Sequence, residues 1–127
     1  MMSFLPSRDR EYLKSHKIVF EEVVERNQKG LILKQYRLPS GHYDLETTDI
    51  LILLPSGYPD IAPDMFFLLP WVKLARSQKY PSRANISYQF KGQNWQRWSR
   101  HNRQWRRGVD GIWTMLKRVN NALEVAA

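Results

Sequence analysis

The chain has 127 residues, 43% of them hydrophobic, and a formal net charge of +8. This is enough apolar material for a single domain, residues 1–127, to bury a core without disulfide bonds or metal ions. The sequence has no cysteine, which excludes disulfides, thiolate nucleophiles and cysteine-ligated zinc. Its N-terminus lacks the apolar run of a signal peptide, and no apolar stretch is long enough to cross a bilayer. We therefore expect a soluble cytoplasmic protein that does not associate with membranes.

The first half of the chain predicts a helix followed by four strands. Ser7 supplies an N-cap, and the acidic residues Asp9 and Glu11 lie in the first turn, where the helix dipole favours them. The strands are short runs of β-branched, aromatic and aliphatic residues, and a turn signal at Asn27 to Gly30 predicts a hairpin between the first two. The predicted helix covers residues 7–16, and the predicted strands cover residues 18–25, 31–37, 48–54 and 65–69.

The remainder of the chain predicts a long irregular segment and a closing helix. Residues 70–104 follow no regular pattern, apart from a short extended piece at 86–90. Residues 109–125 are predicted to be helical, since Val109, Ile112 and later apolar residues recur at helical spacing. Strands that are grouped together between terminal helices predict an α+β fold, with a four-stranded antiparallel meander, an N-terminal helix and a C-terminal helix.

The basic residues are concentrated in the second half of the sequence. No acidic residue lies between Asp64 and Asp110, so the local potential of this segment should attract anionic partners. Such a partner would be a nucleic acid or the acidic face of another protein. The segment contains ten basic residues: Lys73, Arg76, Lys79, Arg83, Lys91, Arg97, Arg100, Arg103, Arg106 and Arg107.

Two motifs give the chain a family resemblance. Tyr58, Pro59 and Pro63 form a Tyr-Pro-x-x-x-Pro turn before the fourth predicted strand. Residues 95–101 read Trp-Gln-Arg-Trp-Ser-Arg-His, and Trp105 then precedes the last helix. With this order of elements, the chain resembles the ubiquitin-conjugating-enzyme (UBC) superfamily, and more specifically the prokaryotic family E of UBC-like proteins. The resemblance implies a UBC-like fold with a long active-site loop after the fourth strand, and assigns the Tyr-Pro turn and Trp105 to the structural motif.

The chain departs from the UBC pattern at the residue that matters most for chemistry. UBC enzymes usually carry a cysteine between an Asn-containing segment and the tryptophan that precedes the helix. Here that interval runs from Asn85 to Trp105 and contains none. The resemblance implies a role in a ubiquitin-like modification pathway, with a ubiquitin-like carrier protein and its activating enzyme as partners. It does not imply thioester transfer.

A substituted nucleophile is one hypothesis for this interval. Ser99 is the only hydroxyl residue between Gln93 and Trp105, and His101 follows two residues later. Histidine can act as a general base toward a serine hydroxyl, which would give an oxyester in place of a thioester. The catalytic candidates are therefore Ser99, His101 and Asn85, and the alternative is a surface serine beside a packed histidine, in a protein that binds its carrier without chemistry. Asp110 would either orient His101 or cap the last helix.

The tryptophan–arginine block suggests two further interpretations. Trp95 and Trp98, interleaved with arginine, are typical of surfaces that stack on single-stranded nucleic acid. The same rings would also serve to anchor an otherwise irregular segment to the core. The candidate partner-binding residues are Trp95, Trp98, Arg97, Arg100, Arg103, Arg106 and Arg107. A nucleic-acid-binding module is the alternative function, and a structural subunit of a larger complex is a third.

Cofactor chemistry has no support in the sequence. The three histidines are scattered, and no phosphate-binding glycine loop or dinucleotide fingerprint is present. We expect neither a metal site nor a cofactor.

Overall fold

The computed structural model describes residues 3–101 and 104–127. An N-terminal helix is followed by six strands and a C-terminal helix, which confirms the predicted α+β class. The elements are α1 (Ser7–Ser15), β1 (Phe20–Glu25), β2 (Gln28–Arg37), β3 (Thr47–Leu54), β4 (Phe66–Leu69), β5 (Ile86–Phe90), β6 (Gln93–Trp98) and α2 (Ile112–Val125).

The strands form one antiparallel sheet in the order β1-β2-β3-β4-β6-β5. The first four strands are the predicted meander. The extended piece predicted at residues 86–90 is confirmed as β5. The prediction is wrong only at residues 93–98, which form β6 and pair with both β5 and β4. The alternation of apolar and polar residues that indicates a strand is broken in β6 by Gln96, a polar residue that is fully buried. A pattern that assigns polar residues to the surface therefore misses this strand.

Both helices pack on one face of the sheet and enclose the larger core. Leu13 of α1 and Ile112, Leu116 and Val119 of α2 pack there with the inward side chains of the strands. These apolar residues of α2 lie at helical spacing, so burial of one face accounts for most of the stability of this helix. Neither of the described helices is long and apolar enough to cross a membrane.

The β5–β6 hairpin covers the opposite face of the sheet. Phe90 and Trp95 pack there against Ile32, Leu51 and Phe67 in a second, smaller core. The approach is close at Gly30, where a Cβ atom would lie 2.7 Å from the Phe90 ring. A larger residue would therefore push the hairpin away from β2.

Residue Lys91, at the tip of this hairpin, reaches the far edge of the sheet. Its backbone N–H donates to Oε2 of Glu25 at 2.7 Å, and its Nζ lies 3.1 Å from Oε2 of Glu21. Both acidic residues belong to β1. The hairpin thus closes over the meander from one edge to the other.

The segment between β4 and β5 is held against β6 by the side chain of Gln96. Its amide nitrogen donates to the carbonyl oxygens of Val72 and Ala84 at 3.0 and 2.8 Å, and its Oε1 accepts from the N–H of Val72 at 2.9 Å. All three partners are buried backbone groups. One side chain therefore replaces the ladder hydrogen bonds that this irregular segment lacks.

Candidate functional site

The catalytic candidates lie directly after β6. The N–H of Ser99 donates to the carbonyl oxygen of Arg83 at 3.1 Å, which ties the start of this segment to the loop before β5. Ser99 is partly buried, whereas His101 is exposed. Asn85 is exposed on the other side of that loop and lines a different concavity. The structure therefore brings Ser99 and His101 onto one segment without Asn85.

His101 is oriented by a carboxylate that the sequence analysis did not select. Its Nδ1 donates to Oδ1 and Oδ2 of Asp64 at 3.0 and 3.2 Å. Asp64 lies just before β4, 37 positions away along the chain. The available signal was its place as the last acidic residue before the basic segment. Among the described residues, Nε2 of His101 makes no hydrogen bond, so a reacting group could approach it.

Asp110 does not contact His101 and acts at the entrance of α2. Oδ2 accepts from the N–H of Arg106 at 2.7 Å, and Oδ1 accepts from its guanidinium at 2.9 Å. Oδ1 also accepts from the hydroxyl of Thr114 at 3.0 Å. These bonds, led by the Arg106 side chain, lower the pKa of Asp110 to about 2. Of the two roles considered for Asp110, this geometry favours the one at the helix start.

The hydroxyl of Ser99 is not activated in this structure. Within residues 3–101 and 104–127, it forms no hydrogen bond with His101 or with any other group. A serine needs a neighbouring base to become a useful nucleophile. Ser99 and His101, which the sequence spacing predicts to act as a pair, therefore lie on one segment but do not form the hydrogen bond that the pair requires.

A cleft of about 220 Å³ opens beside His101, between the start of β4, the end of β6 and α2. Cationic and apolar groups face each other in it. Its lining includes Asp64, Phe66, Arg100, His101, Met115 and Arg118. We call this feature the Asp64–His101 cleft. Two arginines over an apolar floor can bind a peptide segment that carries negative charge.

The burial of Trp95 and Trp98 contradicts the base-stacking interpretation. Trp95 is 2% exposed and Trp98 is fully buried. Trp95 donates through Nε1 to the carbonyl oxygen of Phe90 at 3.1 Å, and Trp98 stacks on Phe66 with the ring centroids 5.4 Å apart. Both rings anchor β6 to the two cores, as the alternative interpretation proposed.

The fold supplies acidic partners to part of the basic segment. Arg106 pairs with Asp110, and Arg107 pairs with Asp60 at 3.3 Å. Arg97 is half-buried in β6. These contacts reduce the charge that Arg106 and Arg107 can offer a partner. The remaining candidate, Arg103, lies outside the described residues.

Arg100 differs from Arg106 and Arg107 because it has no carboxylate partner among the described residues. Its guanidinium lies 5.0 Å from the centre of the Trp98 ring and donates to the carbonyl oxygens of Ser82 and Ser99 at 3.2 Å. Burial lowers the pKa of Arg100, and the charge of Arg83 lowers it further. Arg100 is thus a fixed, partly buried cation at the edge of the cleft.

The Tyr-Pro turn is tied to both helices through a buried carboxylate. Tyr58 donates its hydroxyl to Asp9 of α1, and the other oxygen of Asp9 accepts from the N–H of Ile112 at 3.3 Å, at the start of α2. Burial raises the pKa of Asp9 despite these bonds. Trp105 donates through Nε1 to the carbonyl oxygen of Pro59 at 2.8 Å. The motif residues therefore join α1, the turn and the entrance of α2.

The family profile of prokaryotic E2 family E matches residues 5–126. The chain belongs to this family. No curated protein and no solved structure matches it. The match spans the helices, the six-stranded sheet and the Asp64–His101 cleft, in agreement with the resemblance seen in the sequence.

This E2-family protein keeps its scaffold while it lacks a thiol. The interval from Asn85 to Trp105 contributes two strands, a buried glutamine and two buried tryptophans to the fold. Of its described residues, Arg100 and His101 line the cleft. The interval therefore serves mainly to build the sheet and leaves a short segment for interaction.

Proposed function

We propose that this E2-family protein acts in a ubiquitin-like modification pathway as a carrier-binding adaptor that performs no transfer step itself. The observation that carries the proposal is the environment of Ser99. The chain has no cysteine, and the Ser99 hydroxyl has no base bonded to it among the described residues. A chain that keeps the E2 scaffold without an activated nucleophile is suited to binding.

The partners of the adaptor would be a ubiquitin-like carrier protein and its activating enzyme. Family membership supports partners of this general kind. The Asp64–His101 cleft supports the position, since Arg100 and Arg118 are cations that face an apolar floor. A peptide segment of the carrier that bears a carboxylate fits this combination of charge and apolar surface.

One observation favours a second candidate, transfer through an oxyester on Ser99. Asp64 holds Nδ1 of His101 and leaves Nε2 free to accept a proton. A carboxylate, an imidazole and a hydroxyl are the three groups of a serine-based acyl transfer site. In such a step, Oγ of Ser99 would attack the carrier's carbonyl where it is bonded to the activating enzyme, and its proton would pass to Nε2 of His101. The bond from that carbonyl to the activating enzyme would break, and the departing group would take the proton from His101. A rotation that brings the imidazole to the hydroxyl would be required first.

Adduct formation distinguishes the two candidates. The protein is incubated with activating enzyme, ATP and carrier, and the products are separated under reducing conditions. The adaptor proposal predicts that carrier binds and that no adduct appears. It is contradicted by an adduct that survives thiol reagents, is cleaved by hydroxylamine, and is lost in Ser99→Ala but retained in the matched control Ser87→Ala, an exposed serine of β5.

A further inference from the structure

A second concave surface lies on the loop between β4 and β5, away from His101. It has a volume of about 430 Å³ and is lined mainly by basic and polar side chains. The lining includes Lys73, Lys79, Tyr80, Ser82, Arg83 and Asn85, and no acidic residue contributes to it. We call this surface the basic cradle.

The three cations of the basic cradle have no acidic partner. Among the described residues, five lysine or arginine side chains form ion pairs with carboxylates, and none of them is Lys73, Lys79 or Arg83. Asp44 contacts Lys73 through the backbone, since its Oδ1 accepts from the N–H of Lys73 at 2.9 Å. Elsewhere in the basic segment, Lys91, Arg106 and Arg107 are paired, whereas the basic cradle gathers three uncompensated cations at one surface.

A fourth cation adjoins the basic cradle from the other side. The guanidinium of Arg100 donates to the carbonyl oxygen of Ser82, which lines the basic cradle. Arg83 is close enough for its charge to lower the pKa of Arg100, after the larger effect of burial. Cations kept close together in this way are stabilised when an anion binds between them.

The backbone of the basic cradle is fixed before any ligand binds. The N–H of Leu74 donates to the carbonyl oxygen of Lys79 at 2.9 Å, and the N–H of Ser82 donates to that of Ala127 at 3.1 Å. Gln96 holds the segment at Val72 and Ala84. A surface organised in advance loses less conformational entropy on binding than a mobile loop would.

We propose that the basic cradle docks an extended acidic segment of a partner protein. The proposal concerns a surface other than the Asp64–His101 cleft and goes beyond carrier binding there. Carboxylates of an acidic peptide would pair with Lys73, Lys79 and Arg83, while Asn85 offers an amide to the peptide backbone. A concavity of this size accommodates several residues of an extended chain.

The environment of Tyr80 favours an acidic peptide over a nucleic acid. Tyr80 is the aromatic residue that lines the basic cradle, and the ammonium of Lys73 lies 5.3 Å from its ring centre. Trp71 contacts the same ring at 5.5 Å between centroids. Single-stranded nucleic acid binding relies on aromatic faces that are free to stack on bases, whereas the Tyr80 ring, although 40% exposed, already contacts Lys73 and Trp71.

Fluorescence anisotropy with a labelled peptide of alternating glutamate and serine tests the proposal at low salt. The variant pair Lys79→Glu and Arg83→Glu lowers the net charge from +8 to +4, as each reversal removes two charges. The control pair Lys14→Glu and Lys117→Glu makes the same change at exposed helix positions. We expect the first pair to weaken binding by about tenfold or more and the control to change it by less than about twofold.

The outcomes separate specific docking from general charge attraction. Equal weakening by both pairs, or no binding of the peptide to the unmodified protein, would overturn the proposal. Tighter binding of a single-stranded oligonucleotide of equal charge, lost in the same cradle variants, would replace it with a nucleic-acid site. A second pair, Lys73→Gln and Lys79→Gln, repeats the test without charge reversal, and thermal unfolding of each variant verifies that it is folded.

Discussion

Replacing Gln96 with leucine tests how the long loop is held to the sheet. The leucine side chain has a similar size but cannot form the three hydrogen bonds to Val72 and Ala84, at 2.8, 2.9 and 3.0 Å. Each bond contributes about 1 kcal/mol net, so their loss costs about 3 kcal/mol. Because the three backbone partners remain buried without a replacement, the total rises toward about 5 kcal/mol.

Urea denaturation followed by tryptophan fluorescence measures this loss. The free energy of unfolding of Gln96→Leu should fall by about 3 to 5 kcal/mol, which is a large part of the stability of a small domain. The matched control is Gln89→Leu, at an exposed position of β5, where we expect a change within about 0.5 kcal/mol. A loss below about 1 kcal/mol in Gln96→Leu would refute the argument that this side chain anchors the segment.

Two further predictions concern buried or capping carboxylates. Tyr58→Phe should destabilise the protein by about 2 kcal/mol near neutral pH, since the hydroxyl donates to the buried carboxylate of Asp9. Burial raises the pKa of Asp9 above 3.8, whereas the hydrogen bond from Tyr58 stabilises its charged form. The loss of stability in Tyr58→Phe should therefore become smaller at lower pH, where Asp9 is protonated. The pKa of Asp110 is lowered from 3.8 to about 2 in the folded protein, so its charged form stabilises the fold at pH values above 3.8. This contribution is lost as the pH falls toward about 2. In urea titrations across this range, Asp110→Asn should therefore show a flatter acid dependence than the unmodified protein, and an unchanged slope would contradict the role of Arg106.

Local patterns predicted much of the scaffold. Apolar runs and turn residues located β1 to β4 within about three residues, and helical spacing located both helices. Residues 86–90 were predicted as extended, but β6 was missed because its buried positions include Gln96, whose hydrogen-bond partners Val72 and Ala84 lie 24 and 12 residues earlier. Hydrogen bonds between residues this far apart in the sequence cannot be recognised from the pattern of neighbouring residues.

The candidate site was predicted in part for a related reason. Ser99 and His101 were selected by type and spacing, and the structure places His101 in the lining of the cleft, while Ser99 lies two residues before it and does not line the cleft. The partner of His101 is Asp64 and not Asp110, and this follows from the sheet register that brings β4 beside β6. A count of charges along the sequence also does not distinguish the basic residues that form ion pairs from those that do not. The fold pairs Lys91, Arg106 and Arg107 with carboxylates, whereas the three cations of the basic cradle form no ion pair among the described residues.

Direct titration of the carrier protein tests the central claim that this E2-family chain binds without chemistry. Isothermal titration calorimetry is performed with purified protein and carrier, in the absence of ATP and activating enzyme. We expect saturable binding with one carrier per chain, unchanged in Ser99→Ala and weakened in Arg118→Glu, which reverses a charge in the Asp64–His101 cleft. Absence of binding at any accessible concentration, or binding that Arg118→Glu leaves unaffected, would contradict it.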